Sequence, residues 1–120
     1  MNQYWIGFDF DGTLVGPPSN GRTHGDDIET MVNLLKLFLS HGITCKIFSA
    51  RAGNPYSKAI VQSWLDSRGL TIDITDKKDF SLACIIDDLA ITSRAGELLT
   101  PLPIVNTILS ILNFTISPMP

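Results

Sequence analysis

Residues 4–15, Tyr-Trp-Ile-Gly-Phe-Asp-Phe-Asp-Gly-Thr-Leu-Val, constrain the fold more than any other stretch. An apolar, aromatic-rich run from Tyr4 to Phe10 carries Asp9 and Asp11 near its end, and Gly12-Thr13 then breaks the pattern. Such a run bounded by glycine predicts a buried strand. Aspartate is a poor strand former and is costly to bury. Two aspartates at i and i+2 point to the same side of an extended chain. The place that tolerates them is the carboxyl end of a parallel strand, where open α/β sheets bind their ligands. Two close carboxylates repel, so a cation or a shared proton must reconcile them. A hard divalent cation, Mg2+, suits the oxygen donors.

Two later stretches repeat this logic. Residues 43–49, Ile-Thr-Cys-Lys-Ile-Phe-Ser, read as a strand that delivers Ser49-Ala50-Arg51. The helix expected at 55–68 has Asn54 as its cap, Pro55 in its first turn and Gly69 at its end. Its first amides would face the side of the aspartates, as an anion site. Residues 82–88, Leu-Ala-Cys-Ile-Ile-Asp-Asp, form a fully apolar run suited to the middle of a parallel sheet, and it too ends in two acids. Leu70 to Ile74 supplies a short third strand, with Asp73 and Asp76 as edge and turn residues, and Ile91-Thr92-Ser93 a short edge strand before a turn at Ala95-Gly96.

Helices fill the gaps. Residues 26–41 carry an apolar stripe of Ile28, Met31, Val32, Leu35, Phe38 and Leu39; Asp26 or Asp27 offers the cap, and Gly42 ends the helix. In the second helix Ile60, Val61, Trp64 and Leu65 are expected in the core. Alternation of strands and helices predicts a doubly wound, Rossmann-like α/β fold: a parallel sheet of about five strands with helices on both faces. At 120 residues the chain reads as one domain. Residues 16–25 are loop by composition and leave room for a short flap, not a sizeable cap domain. Arg22 and His24 there read as solvated residues or as contacts to a substrate.

Net charge is −3 and the sequence pI is about 5.1, so bulk charge does not indicate nucleic acid as a partner. Cys45 and Cys84 lie in apolar runs and read as buried free thiols. Met1-Asn2-Gln3 has no basic segment of a secretory leader, and no run reaches the length of a membrane span, so a cytoplasmic setting is expected. The last helix, about 101–114, sets Ile104, Val105, Ile108, Leu109, Ile111 and Leu112 against a narrow stripe of Asn106, Ser110 and Asn113. Such a helix must be covered, by its own sheet or by a second copy in a homodimer.

Asp-Phe-Asp-Gly-Thr-Leu at 9–14 resembles the signature of the haloacid dehalogenase superfamily of phosphatases and phosphotransferases. Phe48-Ser49-Ala50-Arg51 and Lys78-Asp79-Phe80 resemble the motifs of its small, capless, phage-associated members and polynucleotide-phosphatase relatives, and Asp87-Asp88 resembles the acidic fourth motif. The resemblance implies that the Asp9 strand is central, between the Ser49 and Asp87 strands. It implies a phosphomonoester hydrolase in which Asp9 is the nucleophile and Asp11 the general acid/base. Ser49 and a lysine, Lys78 in preference to Lys77, would steady the phosphoryl group. Phe10, Gly12, Thr13, Ala50 and Arg51 would contact substrate, Phe10 and Gly12 through backbone amides; for Arg51 a local salt bridge stays equally open. Asp9, the Asp11 backbone carbonyl, Asp87 and Asp88 would hold Mg2+. Leu89 stands where these relatives often carry a basic residue, so no substrate contact is inherited there. The phosphorylated substrate, small molecule or macromolecular end, is not fixed by the motifs. An alternative is a catalytically silent module that keeps the fold to bind phosphate or a partner.

Overall fold

The computed structural model describes residues 4–90, 93–98 and 100–110, in two compact units within residues 1–88 and 89–120. The first unit is a small α/β domain, a four-stranded parallel sheet flanked by helices. Its strands are β1 (Trp5–Phe8), β2 (Thr44–Phe48), β3 (Ile74–Thr75) and β4 (Leu82–Ile86), in the order β3-β2-β1-β4. The Asp9 strand therefore lies between the strands that precede Ser49 and Asp87. Phe8 pairs with Ile47 on one side and Ile86 on the other, and Phe48 pairs with Thr75. This register brings the four carboxyl ends level. No fifth parallel strand occurs among the described residues, and β4 stands at the edge of the sheet. Cys84, expected to be buried, is exposed there, whereas Cys45 on the inner strand β2 is buried; both are free.

Helices α1 (Glu29–Ser40) and α2 (Pro55–Ser67) connect the first three strands. Val32 and Leu35 of α1 and Val61, Trp64 and Leu65 of α2 join Phe8, Phe10, Ile47 and Ile74 in one core. Full burial of an aliphatic or aromatic side chain contributes about 1.5–3 kcal/mol, so this shared apolar face is what holds the helices to the sheet. Ile60 is only partly buried.

The start of α1 departs from the sequence expectation. Its cap position is Ile28, without a side-chain cap, and neither Asp26 nor Asp27 serves. Asp26 pairs with Arg22 at 2.6 Å. Asp27 instead accepts from Trp64 Nε1 at 2.9 Å and from Arg68 Nε and Nη2 at 2.8 and 2.5 Å. A buried indole N–H needs an acceptor, and α2 brings one against Asp27, so a long-range contact prevails over the local cap. In α2 the expected cap forms: Asn54 Oδ1 accepts from the amides of Tyr56 and Ser57. A 3-10 turn, Ala50–Gly53, precedes it, capped by Ser49.

Between β1 and α1 the chain makes a loop closed at its base. Val15 bridges Asp27, and the Gly16 amide donates to the Asp26 carbonyl at 2.8 Å. Gly25 packs so tightly on the Gly16 and Pro17 backbone that a Cβ there would overlap it.

The second unit contains a hairpin, β5 (Ser93–Arg94) and β6 (Glu97–Leu98), and helix α3 (Leu102–Leu109). Ala95 and Gly96 form the expected turn, with φ of +53° and +82°, the two positive values of a tight primed turn. The expected Ile91 and Thr92 of the edge strand, and the part of the last helix at 111–114, lie outside the described residues. Among the described residues no helix is long and apolar enough to cross a membrane.

Candidate functional site

Each parallel strand hands its next residue to the same place. Asp9 follows Phe8, Ser49 follows Phe48, Asp76 follows Thr75 and Asp87 follows Ile86. All four line one hollow of about 380 Å³, together with Phe48 and Ala50. Parallel pairing makes this happen, because every strand runs out on the same edge, and its first non-strand residue has no ladder partner to satisfy. The Asp9 amide still reaches the Ile86 carbonyl at 2.9 Å, and the Ser49 amide the Thr75 carbonyl at 2.9 Å, which hold both residues at the sheet edge.

Carboxylate oxygens of Asp9, Asp87 and Asp88 lie within 4.8 Å of one another. Asp9 is half-buried while the other two are exposed. Burial, the charge of Asp87 and a hydrogen bond shared with Asp88 push the Asp9 carboxyl up from 3.8 to about 7; a hydrogen bond with the Phe10 backbone acts in the opposite direction. The Thr13 hydroxyl stands 3.4 Å from Asp9 Oδ2. Gly12, at φ +86°, makes room for this cluster: a Cβ at that position would occupy the space of the Asp88 carboxylate. Three mutually close oxygen donors, one unable to ionise easily, are a donor set that suits a hard divalent cation.

The remaining residues expected at the site distribute differently. Asp11 is not part of the carboxylate cluster. Its carboxylate accepts two hydrogen bonds from Arg51, Nε to Oδ2 at 2.7 Å and Nη2 to Oδ1 at 2.8 Å. Of the two readings of Arg51, the structure displays the salt bridge. The same guanidinium donates to the Thr23 carbonyl at 2.9 Å and packs 5.4 Å from the centre of the Phe10 ring. The Gly12 amide is already committed to the Val15 carbonyl at 2.7 Å. Nor are the first amides of α2 open to an anion, because the Asn54 side chain takes them. Ser49, almost fully buried, lines the hollow, and its hydroxyl oxygen accepts from the Arg51 amide at 3.1 Å. Lys78 lines a different depression with Asp79 and Phe80. Lys77 lies nearer, its Nζ 3.5 Å from Asp76.

Asp76 is the residue that sequence reasoning missed. The third strand was expected at Leu70 to Ile74 and is Ile74–Thr75, so Asp76, expected as an edge or turn residue, directly follows the strand and lines the hollow. Its signal was the same as at Asp9: β-branched Ile74-Thr75 followed directly by an acid.

A solved structure similar in fold is a conserved protein from Bacteroides thetaiotaomicron, with a TM-score of 0.54, 24% identity, and coverage of 90% of this chain and 88% of that one. At that identity the likeness speaks for the fold alone. No protein-family model and no curated protein matches the chain.

The other loop contacts are local. Arg22 is held by Asp26, and His24 Nδ1 lies 2.7 Å from the Gly25 carbonyl with its ring edge-on to Phe10. Asp79 accepts from Trp5 Nε1 at 2.8 Å and from the Ser81 amide, which ties the loop before β4 to β1.

Proposed function

We propose that the protein is a Mg2+-dependent phosphomonoesterase of the haloacid dehalogenase type, working through an aspartyl-phosphate on Asp9. The observation that carries this reading is the cluster of Asp9, Asp87 and Asp88 at the carboxyl ends of adjacent parallel strands, with Ser49 beside it. Asp9, Asp87 and Asp88 are the residues that would hold Mg2+, which when bound supplies the positive charge that lets carboxylates and a phosphate share one site.

Asp9 is the nucleophile. One oxygen attacks phosphorus as the bond to the leaving alcohol breaks, and the phosphoryl group passes to Asp9. The Ser49 hydroxyl donates to a phosphoryl oxygen where negative charge must be held. Asp11 is two residues away and gives a proton to the leaving oxygen, then takes one from the water that releases phosphate. To do so it must leave Arg51, and a phosphate dianion is the competing partner that a guanidinium favours. Lys77 is the nearer lysine; its contact with Asp76 offsets a third negative charge in the hollow, beside those of Asp9 and Asp87. The strand order, with Asp9 central, agrees with the dehalogenase-type arrangement.

The test is hydrolysis of an aryl phosphate and a panel of nucleotides, sugar phosphates and phosphate-ended oligonucleotides, with Mg2+ and with chelator, on wild type and Asp9→Asn. Turnover should need both the metal and Asp9. A second reading, a silent phosphate-binding module, draws on the Arg51 pair that occupies Asp11. It expects phosphate binding that survives Asp9→Asn and no turnover by either protein.

A further inference from the structure

The largest hollow among those described in the first unit is not the one beside Asp9. It has a volume of about 490 Å³ and lies between the loop at Thr23-His24 and one face of α2. Ala59 and Ile60 give it an apolar wall, and Ser63 adds a hydroxyl, while that of Ser67 donates to the Trp64 carbonyl at 2.9 Å. Arg68 closes it. That guanidinium lies 4.2 Å from the centre of the Trp64 ring, and its charge is already met by Asp27 in a two-point ion pair. Nη1 is further fixed by the Trp64 carbonyl at 2.9 Å and Ser67 Oγ at 2.7 Å. Arg68 is therefore immobilised and neutralised, and what it offers a ligand is a flat face rather than a charge. On the loop side, His24 presents a second flat ring, itself held edge-on by Phe10 at 5.8 Å.

We propose that this hollow binds an uncharged, flat ring, and that it receives the leaving group of a ring-bearing phosphomonoester. The second half of the statement rests on the phosphatase reading above. The connection runs through Arg51 and Phe10. Arg51 joins Asp11 to the Thr23 carbonyl on the rim of the hollow, and Phe10 touches both His24 and Trp64 from beneath. An ester with its phosphate at Asp9 and its alcohol oxygen at Asp11 thus has a path along Arg51 toward this pocket. A second phosphate or a sugar acid finds no free positive charge there, because Asp27 meets that of Arg68. A ring finds two flat groups and the Ser63 hydroxyl for its polar edge. Both a nucleoside and a simple aryl alcohol have this chemistry.

The experiment is an amide-resonance titration of the full chain with adenosine, phenol and, as a control, glycerol. It is run on wild type, Asp9→Asn, Ser63→Trp and Ala59→Trp. Ser63 and Ala59 are exposed helix positions, so a large side chain there fills the hollow without entering the core. The expected result is ring-dependent shifts at Thr23, His24, Ser63 and Ser67, none with glycerol, and affinity about tenfold weaker in both tryptophan variants, within the range for loss of a stacking site. Asp9→Asn should bind the rings as wild type does. Stronger binding of adenosine than of phenol selects a nucleotide as the substrate, and the reverse selects an aryl ester. Shifts that vanish in Asp9→Asn, or affinities unaltered by both tryptophans, overturn the ring site. In turnover, the tryptophans should lower kcat/KM for the ring ester about tenfold and leave glycerol phosphate unchanged; an equal loss on both overturns the leaving-group role. A wild type that turns over no ester yet binds rings refutes the phosphatase reading and the leaving-group role, and leaves the ring site standing.

Discussion

Asp9→Asn should make the protein more stable when divalent cations are removed. Folding raises the Asp9 carboxyl from 3.8 to about 7, first through burial and then through Asp87 and Asp88. Between these values the folded protein keeps a proton that the unfolded chain has released. Stability therefore falls as pH rises through that window, and the full penalty is present above pH 7. A shift of about three units corresponds to roughly 4 kcal/mol. Asp9 is only half-buried, so water screens part of it, and about 2 kcal/mol is a reasonable remainder. Asparagine has no charge to lose. For a chain of this size about 2 kcal/mol is roughly 8 °C in Tm. Thermal melts in EDTA at pH 8 should place Asp9→Asn about that far above wild type, and the gap should shrink by more than half at pH 5. Mg2+ should raise wild type more than the variant. A folded Asp9→Asn that melts at or below wild type in EDTA at pH 8 would refute the reasoning, because the three carboxylates would then not be in conflict.

Three further outcomes are expected. Asp27→Ala strands the buried Trp64 indole N–H and unpairs Arg68, and should cost about 2–4 kcal/mol in urea unfolding at pH 7; Trp64→Phe should remove part of that loss in a double-mutant cycle. Burial raises the Asp27 carboxyl, but hydrogen bonds from Arg68 and Trp64 outweigh it and hold it below its usual value, so this contribution should fade as pH falls below about 4. Gly12→Ala places a Cβ at φ +86° and against Asp88, and should cost about 2 kcal/mol or more and weaken Mg2+ binding measured by calorimetry. Asn54→Ala removes the acceptor for two amides of α2 and should lower stability by about 1 kcal/mol, read from the urea midpoint, while opening that helix end to solvent.

The strands that carry chemistry were legible because each shows the same switch, apolar residues and then an acid or hydroxyl. Asp9, Ser49 and Asp87 could be placed at one edge from the sequence, since parallel strands leave no other common edge. The cap of α2 was legible too, as Asn54-Pro55 acts within four residues. What could not be read were contacts that depend on distant partners. Asp27 has the chemistry of a cap, yet Trp64, 37 residues on, claims it. Asp11 looks like a partner for Asp9, yet Arg51, 40 residues on, turns it away. Cys84 sits in a run as apolar as that of Cys45, yet on the edge strand β4 it is exposed, while Cys45 on the inner strand β2 is buried. Asp76 was read only as an edge or turn residue because two strand residues, Ile74 and Thr75, give too little pattern to fix a boundary.

The loop between Val15 and Asp27 has a further consequence. Its two ends are stapled to each other by the Val15–Asp27 bridge and by Gly25 seated on Gly16, so its exposed stretch at 19–21 lies outside these closures. Lengthening a surface loop is cheap, about 0.6 kcal/mol for each doubling. The tip is thus a graft point: a whole lid could be spliced in there, by evolution or by design, and the closed base would keep the strand ends in their places. Selectivity could then change by exchange of one surface segment, while the sheet edge that holds the reacting groups stays as it is.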